Sequence, residues 1–372
     1  MGLSVVVTNY GIGDNSVLVV NRAILDGMIF NGLLARSGNL TYQGDSKKRM
    51  AYTGLPEYQA FVEKHGAPDV LIGQASFAKK VFLWAKEHTP GTVRILQRDS
   101  THMRTWKDLV GAEYKRVGLD HEISESLVKH EEHEYELADA ITVLSRWVER
   151  SFIDRGLGDK TYYASPQTIM LNRWKPMPRK KDGIRFRVMV AGQFRVAKGT
   201  HRILKAWREV KPDADQQLVF SGVYPDLPQD ERQFLEAEYE ETRRTANTRI
   251  IGWTPVEHMS NRFAECDCYC LPSIQEGSSM TCVEALTCGR ALIASDRCGS
   301  DILEENDDCG QLVSLDDEQH LRDALERYMR SPNLVKLHGE RGRELALEYG
   351  GMERFGRDYA TTVKRIWHDL RS

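Results

Sequence analysis

Glu276 and Glu284 stand with seven residues between them in the stretch YCLPSIQEGSSMTCVEALTCGRALIASDRCGS, residues 269–300. A short apolar run, 269–271, stops at Pro272, and a loop containing Gly277 follows. A helical pattern then covers about 278–288, Gly289 ends it, and ALIAS at 291–295 is a second strand. A strand, a Gly-bearing loop and a helix start make an anion site, because the first helical amides lack partners and point outward with the positive end of the dipole. The amides of Gly277, Ser278, Ser279 and Met280 would cradle a phosphate and the sugar beside it. Two carboxylates next to such a cradle suit the hydroxyls of a sugar or a ribose. The same stretch also reads as a surface loop leading into an ordinary βαβ unit.

The elements that must position these groups are legible from periodicity. Residues 4–9 form an apolar strand that feeds YGIGDNS and a helical pattern over about 17–34, the opening of a doubly wound domain. Gly11 and Gly13 lie in that turn, but the third position of the dinucleotide fingerprint is Ser16. The polar stretch 39–58 predicts a loop or hairpin. Strands follow at 69–74 and 93–99, with a helix carrying Phe77, Val81, Leu83 and Trp84 between them, and another strand at 160–165. His102 sits just past the second of these strands, where open α/β sheets place ligands. Residues 173–182, RWKPMPRKKD, read as a linker. A basic linker with Trp174 is compatible with contact to anionic lipid and with a solvated hinge. A second strand–loop–helix series then opens with RFRVMVAG, and Lys198-Gly199 precede a helix with Ile203, Leu204 and Trp207 on its inner face. The last segment sets Phe355, Tyr359, Val363, Ile366 and Leu370 on one amphipathic stripe.

Composition narrows the class. At 372 residues the chain can bury two α/β cores, and 41% hydrophobic with 28% charged residues is a globular profile. A net charge of -3 argues against a nucleic-acid partner. No apolar run approaches the roughly 20 residues of a membrane span, and the N-terminus lacks the pattern of a secretory leader, so a cytoplasmic location is expected. All seven cysteines fall between 266 and 309. The CDCYC run alternates as a strand does and lacks usual zinc spacing, so these thiols read as buried packing groups.

The stretch with Glu276-Gly277, Glu284-Ala285 and Gly289 resembles the E-x7-E region of the retaining glycosyltransferases of family 4. QRDSTH (97–102) is similar to the RGSxH segment of one subgroup, with Asp99 where that subgroup has glycine. EYELADAITVLSRWVERSF (134–152) resembles the same subgroup's EYxxADxIxxxSxFVxxSF. GQFRVAKG (192–199) resembles GRLxxxKG, with Gln193 at the arginine position. The resemblance implies an α/β fold of the GT-B type, two doubly wound Rossmann-like domains facing a central cleft. It implies domains over 1–172 and 184–351, a linker at 173–183, and a final helix, 352–372, that crosses back to the first domain. It assigns Glu276 to the donor sugar, Glu284 to the ribose, Lys198 to the departing diphosphate and His102 to a sugar hydroxyl. Arg195 would replace the arginine missing at Gln193, or else be a surface cation. Gly11 and Gly13 would line the acceptor or diphosphate, or else serve only the tight turn. Trp253 would lie near the nucleobase or in the core. Glu113 and Glu134 read as solvated or salt-bridged helix residues.

The expected function is therefore transfer of a sugar from a nucleotide-diphosphate donor to an acceptor hydroxyl with retention, in glycan or glycoconjugate synthesis, with no metal or other cofactor required. A glycan, a lipid-linked molecule or a protein could be the acceptor, with peripheral membrane contact open. A different reading is a GT-B shell that binds a nucleotide sugar or glycan without transferring it. An NAD-dependent oxidoreductase would rest on the first Gly-rich turn alone.

Overall fold

The structure, a computed structural model, describes residues 3–8, 34–37, 55–166, 169–179 and 182–372. Gly11 and Gly13, and residues 17–33 of the expected helix, lie outside the described residues; Leu34, its expected end, opens a strand. The chain forms two compact units, one of Met1–Lys107, Ile123–Ile169 and Gly351–Ser372, the other of Asp108–Glu122 and Met170–Gly350.

In chain order the described elements begin with β1 (Ser4–Thr8), β2 (Leu34–Ser37), α1 (Leu55–His65), β3 (Val70–Gln74), α2 (Lys79–His88) and β4 (Val93–Arg98). Next come α3 (Met103–Arg116), α4 (Glu125–Leu137), β5 (Ala140–Val143), α5 (Arg146–Ile153) and β6 (Thr161–Tyr163). The part of α3 from Asp108 onward falls in the second unit. That unit continues with β7 (Phe186–Ala191), α6 (Thr200–Glu209), β8 (Gln216–Ser221), α7 (Gln229–Thr245), β9 (Thr248–Ile250) and α8 (Met259–Ala264). It closes with β10 (Cys268–Leu271), α9 (Met280–Thr287), β11 (Ala291–Ser295), α10 (Asp301–Glu305), β12 (Gln311–Val313), α11 (Glu318–Arg330) and α12 (Pro332–Tyr349). The last helix, α13 (Met352–Asp369), belongs to the first unit.

Each unit holds one parallel sheet, ordered β2-β1-β3-β4-β5-β6 in the first and β12-β11-β10-β7-β8-β9 in the second. This is the α/β architecture of two doubly wound sheets that the sequence predicts. Parallel strands need helices on both faces, so their sequences are nearly continuous in apolar residues. In the first unit Val5, Val7, Val70 and Ile72 pack under Phe355, Tyr359, Val363 and Ile366 of α13. On the other face Val6, Leu71 and Leu96 pack with Val81, Phe82 and Ala85 of α2. In the second unit Ile203, Leu204 and Trp207 of α6 and Leu321, Leu325 and Tyr328 of α11 cover one sheet face. Cys268 and Cys270 point into that same core, one period of the strand apart. All seven thiols are buried, and burial pushes every one of them up in pKa.

Some expectations are corrected. Residues 55–58, the described end of the polar segment 39–58, open α1 rather than a loop, with Pro56 in the first turn, where its missing N–H costs nothing, and Tyr58 buried. Trp174 is 3% exposed and packs edge-on against Phe263 at 5.8 Å between ring centroids, so it offers nothing to a lipid surface. Arg179 of the same segment pairs with Asp267 at 2.7 Å. Among the described residues no helix is long and apolar enough to cross a membrane.

Glu134 and Glu113 are buried rather than solvated. Glu134 accepts from the amides of Ser76 (2.6 Å) and Lys79 (2.9 Å), capping the start of α2. It thereby holds Ser76 in a left-handed conformation, φ 74°, that a non-glycine residue adopts only under restraint. Replacing Glu134 by alanine removes two charge-assisted hydrogen bonds and leaves two donors unpaired. The expected cost is about 3 kcal/mol, read from equilibrium denaturant unfolding; a change below about 0.5 kcal/mol would contradict this role.

Candidate functional site in the second unit

In the second sheet β7 and β10 are neighbours although two strands, β8 and β9, lie between them in the chain. That reversal is the switch point of a doubly wound sheet, where ligands bind beyond the carboxyl ends of the strands. The loop after β7 carries Lys198 and the loop after β10 carries Glu276. They meet: Lys198 Nζ donates to Glu276 Oε1 at 2.5 Å, and Ser273 Oγ donates to the same oxygen at 2.8 Å. The pair is partly open, with the lysine and glutamate side chains 36% and 20% exposed.

The two loops are joined through backbone as well. The Ile274 amide donates to Ala197 O at 3.0 Å. Gly199, at φ +68°, comes so close to the other loop that an added Cβ would lie 1.9 Å from the carbonyl oxygen of Pro272. Only glycine satisfies both the left-handed backbone and that approach. On the far side the Glu276 amide donates to Arg297 O (2.9 Å) and the Ser279 amide to Cys298 O (3.2 Å).

Helix α9 starts at Met280, two residues later than the expected 278, with Ser279 as the residue before it. Ser279 makes no capping hydrogen bond to the helix amides; its hydroxyl pairs with Thr281 Oγ1 at 3.0 Å. Gly277, Ser278, Ser279 and Met280 therefore form the approach to a helix start that its own N-cap side chain does not fill. Glu284 lies in the second turn and is partly exposed. Burial nonetheless pushes its carboxyl up to about 8, with Arg173 pulling the other way.

Arg195 goes elsewhere. Tyr114 and His121 lie near it: burial raises the pKa of Tyr114 and lowers that of His121, and the charge of Arg195 lowers both. Tyr114 OH donates to Glu231 Oε1 at 2.7 Å, and the Val196 amide donates to the same oxygen at 2.9 Å. Glu231 is 1% exposed. It is the buried anchor of the loop that presents Lys198, and its place within a charged helix gave no sequence signal. The neighbouring Glu113 accepts from His201 Nε2 (2.6 Å) and Arg202 (2.6 and 2.7 Å). Burial alone would raise its pKa; His201, Arg202 and Arg116 outweigh that and hold it well below the carboxylate range. Trp253, expected near a base or in the core, is 69% exposed and so is not a core residue.

His102 lies in the first unit, 4% exposed, its ring against Tyr135 and Phe152 at 4.9 and 5.2 Å. Burial lowers its pKa from 6.5 to about 4, with Glu132 opposing. The Arg104 amide donates to Nδ1 at 3.2 Å, so the neutral ring carries its proton on Nε2.

Residues 175–345 match the model of the family described as glycosyl transferases group 1. A stretch of 94 residues is 32% identical to the MMP alpha-(1->4)-mannosyltransferase of Mycolicibacterium hassiacum, covering 25% of this chain. The matched stretch spans 23% of that protein's length. Across 99% of both chains the fold is similar to sucrose-phosphate synthase from Thermosynechococcus elongatus, with a TM-score of 0.71 at 16% identity. It is also similar to Anabaena HepE in complex with UDP, with a TM-score of 0.70 at 12% identity over 98% of this chain and 100% of that one. HepE has also been solved with UDP-glucose. These likenesses fix the fold as that of the GT-B glycosyltransferases.

Two titrations follow from the site. Glu284 keeps its proton in the folded chain up to about pH 8 while an unfolded carboxyl releases it near 4.5, so stability falls as pH rises between those values. Glu284→Gln is expected to be more stable than the parent at pH 9, by about 2–4 kcal/mol, and nearly equal at pH 4; equal unfolding free energies at both would contradict the assignment. His102 acts with the opposite slope: the unfolded imidazole protonates near 6.5 and the folded one near 4, so stability falls as pH drops through that window. His102→Asn should remove about 3 kcal/mol of that acid sensitivity, measured by unfolding at pH 4 and pH 7.

Proposed function

We propose that this chain is a glycosyltransferase that moves a sugar from a nucleotide-diphosphate donor to an acceptor hydroxyl with retention of configuration. The observation that carries the reading is the Lys198–Glu276 pair, held at 2.5 Å beside the start of α9 within the segment that matches the glycosyl transferases group 1 model.

In this reading the donor diphosphate binds beside the start of α9, where the Ser279 amide is already given to Cys298 O, and competes with Glu276 for Lys198. The lysine then opposes the charge that grows on the phosphate as the sugar–oxygen bond breaks, a task suited to a fixed cation at a helix start. Glu276, released from the lysine, accepts from hydroxyls of the donor sugar. Glu284 accepts from the ribose hydroxyls; its raised pKa marks a carboxyl whose desolvation is offset only when a ligand supplies donors. His102, neutral with its proton on Nε2, is suited to donate to a sugar oxygen. The departing phosphate is a candidate base for the acceptor proton. Because the neutralising charge is a side chain, this route calls for no metal.

Arg195 turned toward Tyr114 leaves Lys198 as the cation at Glu276, and Gln193 is exposed. That arrangement favours, as a second reading, a chain that grips the donor without cleaving it. Incubation with a panel of nucleotide sugars, uridine donors first, and detection of released nucleotide separates the two. Glu276→Ala and Lys198→Ala are each expected to lower turnover about 100-fold or more. Parent-level turnover in both variants would sink the assignment, and binding without release by the parent would favour the second reading.

A further inference from the structure

At the carboxyl ends of β3 and β4 in the first unit, polar side chains are organised around a carboxylate for which the family resemblance has no counterpart. Asp99 stands where the resembling subgroup has glycine. Its Oδ2 accepts from Gln74 Nε2 at 2.8 Å, and its Oδ1 from Gln97 Nε2 at 2.9 Å. Gln97 is fully buried, and its Oε1 accepts from the Tyr359 hydroxyl of α13 at 3.3 Å. That hydroxyl pairs with Thr142 Oγ1 of β5 at 2.8 Å. Buried groups from two elements thus converge to fix one carboxylate that is itself partly exposed. A preorganised chain of this kind rigidifies its terminal member.

Beside it is an acceptor with nothing to accept. Gln74 is 8% exposed and, among the described residues, its Oε1 has no hydrogen-bond partner. The bond from its Nε2 to Asp99 fixes the amide's orientation, so the orphaned atom is the oxygen and not the nitrogen. A buried acceptor left unpaired is a cost that a ligand donor removes. The location is the one where such a ligand is expected: β1 and β3 are adjacent at the point where the order of the first sheet reverses.

A carboxylate and an amide oxygen side by side accept two hydrogen bonds and donate none. Adjacent hydroxyls of a sugar or polyol satisfy them; a phosphate or carboxylate would be repelled. The nearby guanidinium of Arg98 does not change that balance, being committed to Glu131 at 2.9 Å and to Thr101 O at 3.0 and 3.2 Å. We propose that Asp99 and Gln74 form a hydroxyl-binding subsite for a neutral sugar, and that this chain's acceptor is a neutral sugar or polyol rather than a phosphorylated one. The second half of that statement rests on the glycosyltransferase reading above.

The test is saturation-transfer NMR on the full chain, with D-glucose, D-mannose and their 6-phosphates as probes. The neutral sugars should bind, and Asp99→Asn and Gln74→Met should each weaken that binding about 10-fold or more, as expected for losing a hydrogen bond to a charged or orphaned partner. The 6-phosphates should bind at least about 10-fold more weakly than the neutral sugars. Thermal unfolding checks that each variant folds; if Asp99→Asn does not, Gln74→Met decides alone, since it keeps the side-chain length. The proposal is overturned if no neutral sugar binds, if both variants bind as the parent does, or if the phosphates bind more tightly. Donor turnover is assayed separately. Turnover without a variant effect on sugar binding would sink the subsite alone, and a variant effect without turnover would sink the transferase reading alone.

Discussion

One ion pair organises the second unit: Lys198 against Glu276, contributed by loops far apart in sequence and adjacent in space. Strand order makes them neighbours, because β7 and β10 pair where the sheet reverses. The close fit of Gly199 on Pro272 and the Ile274–Ala197 hydrogen bond then fix the separation. A lysine and a carboxylate in contact with solvent gain little from each other in stability. What their juxtaposition provides is a cation and an acceptor held together, and the proposed function has a ligand with both anionic oxygens and hydroxyls part them.

Around that pair the protein spends polar burial on placement. Glu231 holds the Val196 amide and the Tyr114 hydroxyl through one oxygen while the other is buried and, among the described residues, unpaired. Glu134 does the same kind of work in the first unit, capping α2 and restraining Ser76. Each burial weakens the fold unless every contact is made, which is the usual exchange of stability for a defined site geometry.

Strand positions were readable because parallel strands buried on both faces are nearly continuous apolar runs, as VLIG at 70–73 and VMVA at 188–191. The inner faces of α6 and α13 followed from spacing: Ile203, Leu204 and Trp207, then Phe355, Tyr359, Val363 and Ile366, are all buried. Leu370, on the same predicted stripe, lies past the helix end and is 45% exposed. Spacing is silent about long-range polar pairing, so it left Glu113 and Glu134 as solvated or salt-bridged alike; two arginines and a histidine surround the first, and two backbone amides bind the second. The direction of Arg195 depends on Tyr114 and His121, more than seventy residues earlier, and no local pattern encodes it. Trp174 misled for a related reason: a tryptophan among lysines and prolines looks exposed until Phe263 is placed beside it.

The sequestered thiols of the second unit have a practical side. A thiol reacts as thiolate, and all seven here are enclosed and held in the protonated form. A maleimide dye added to the native chain meets no accessible sulfur. A single cysteine engineered at an exposed position would therefore be labelled selectively without first stripping the natural ones. Fluorescent reporters on the chain can be introduced one substitution at a time, leaving the packing around β10 intact.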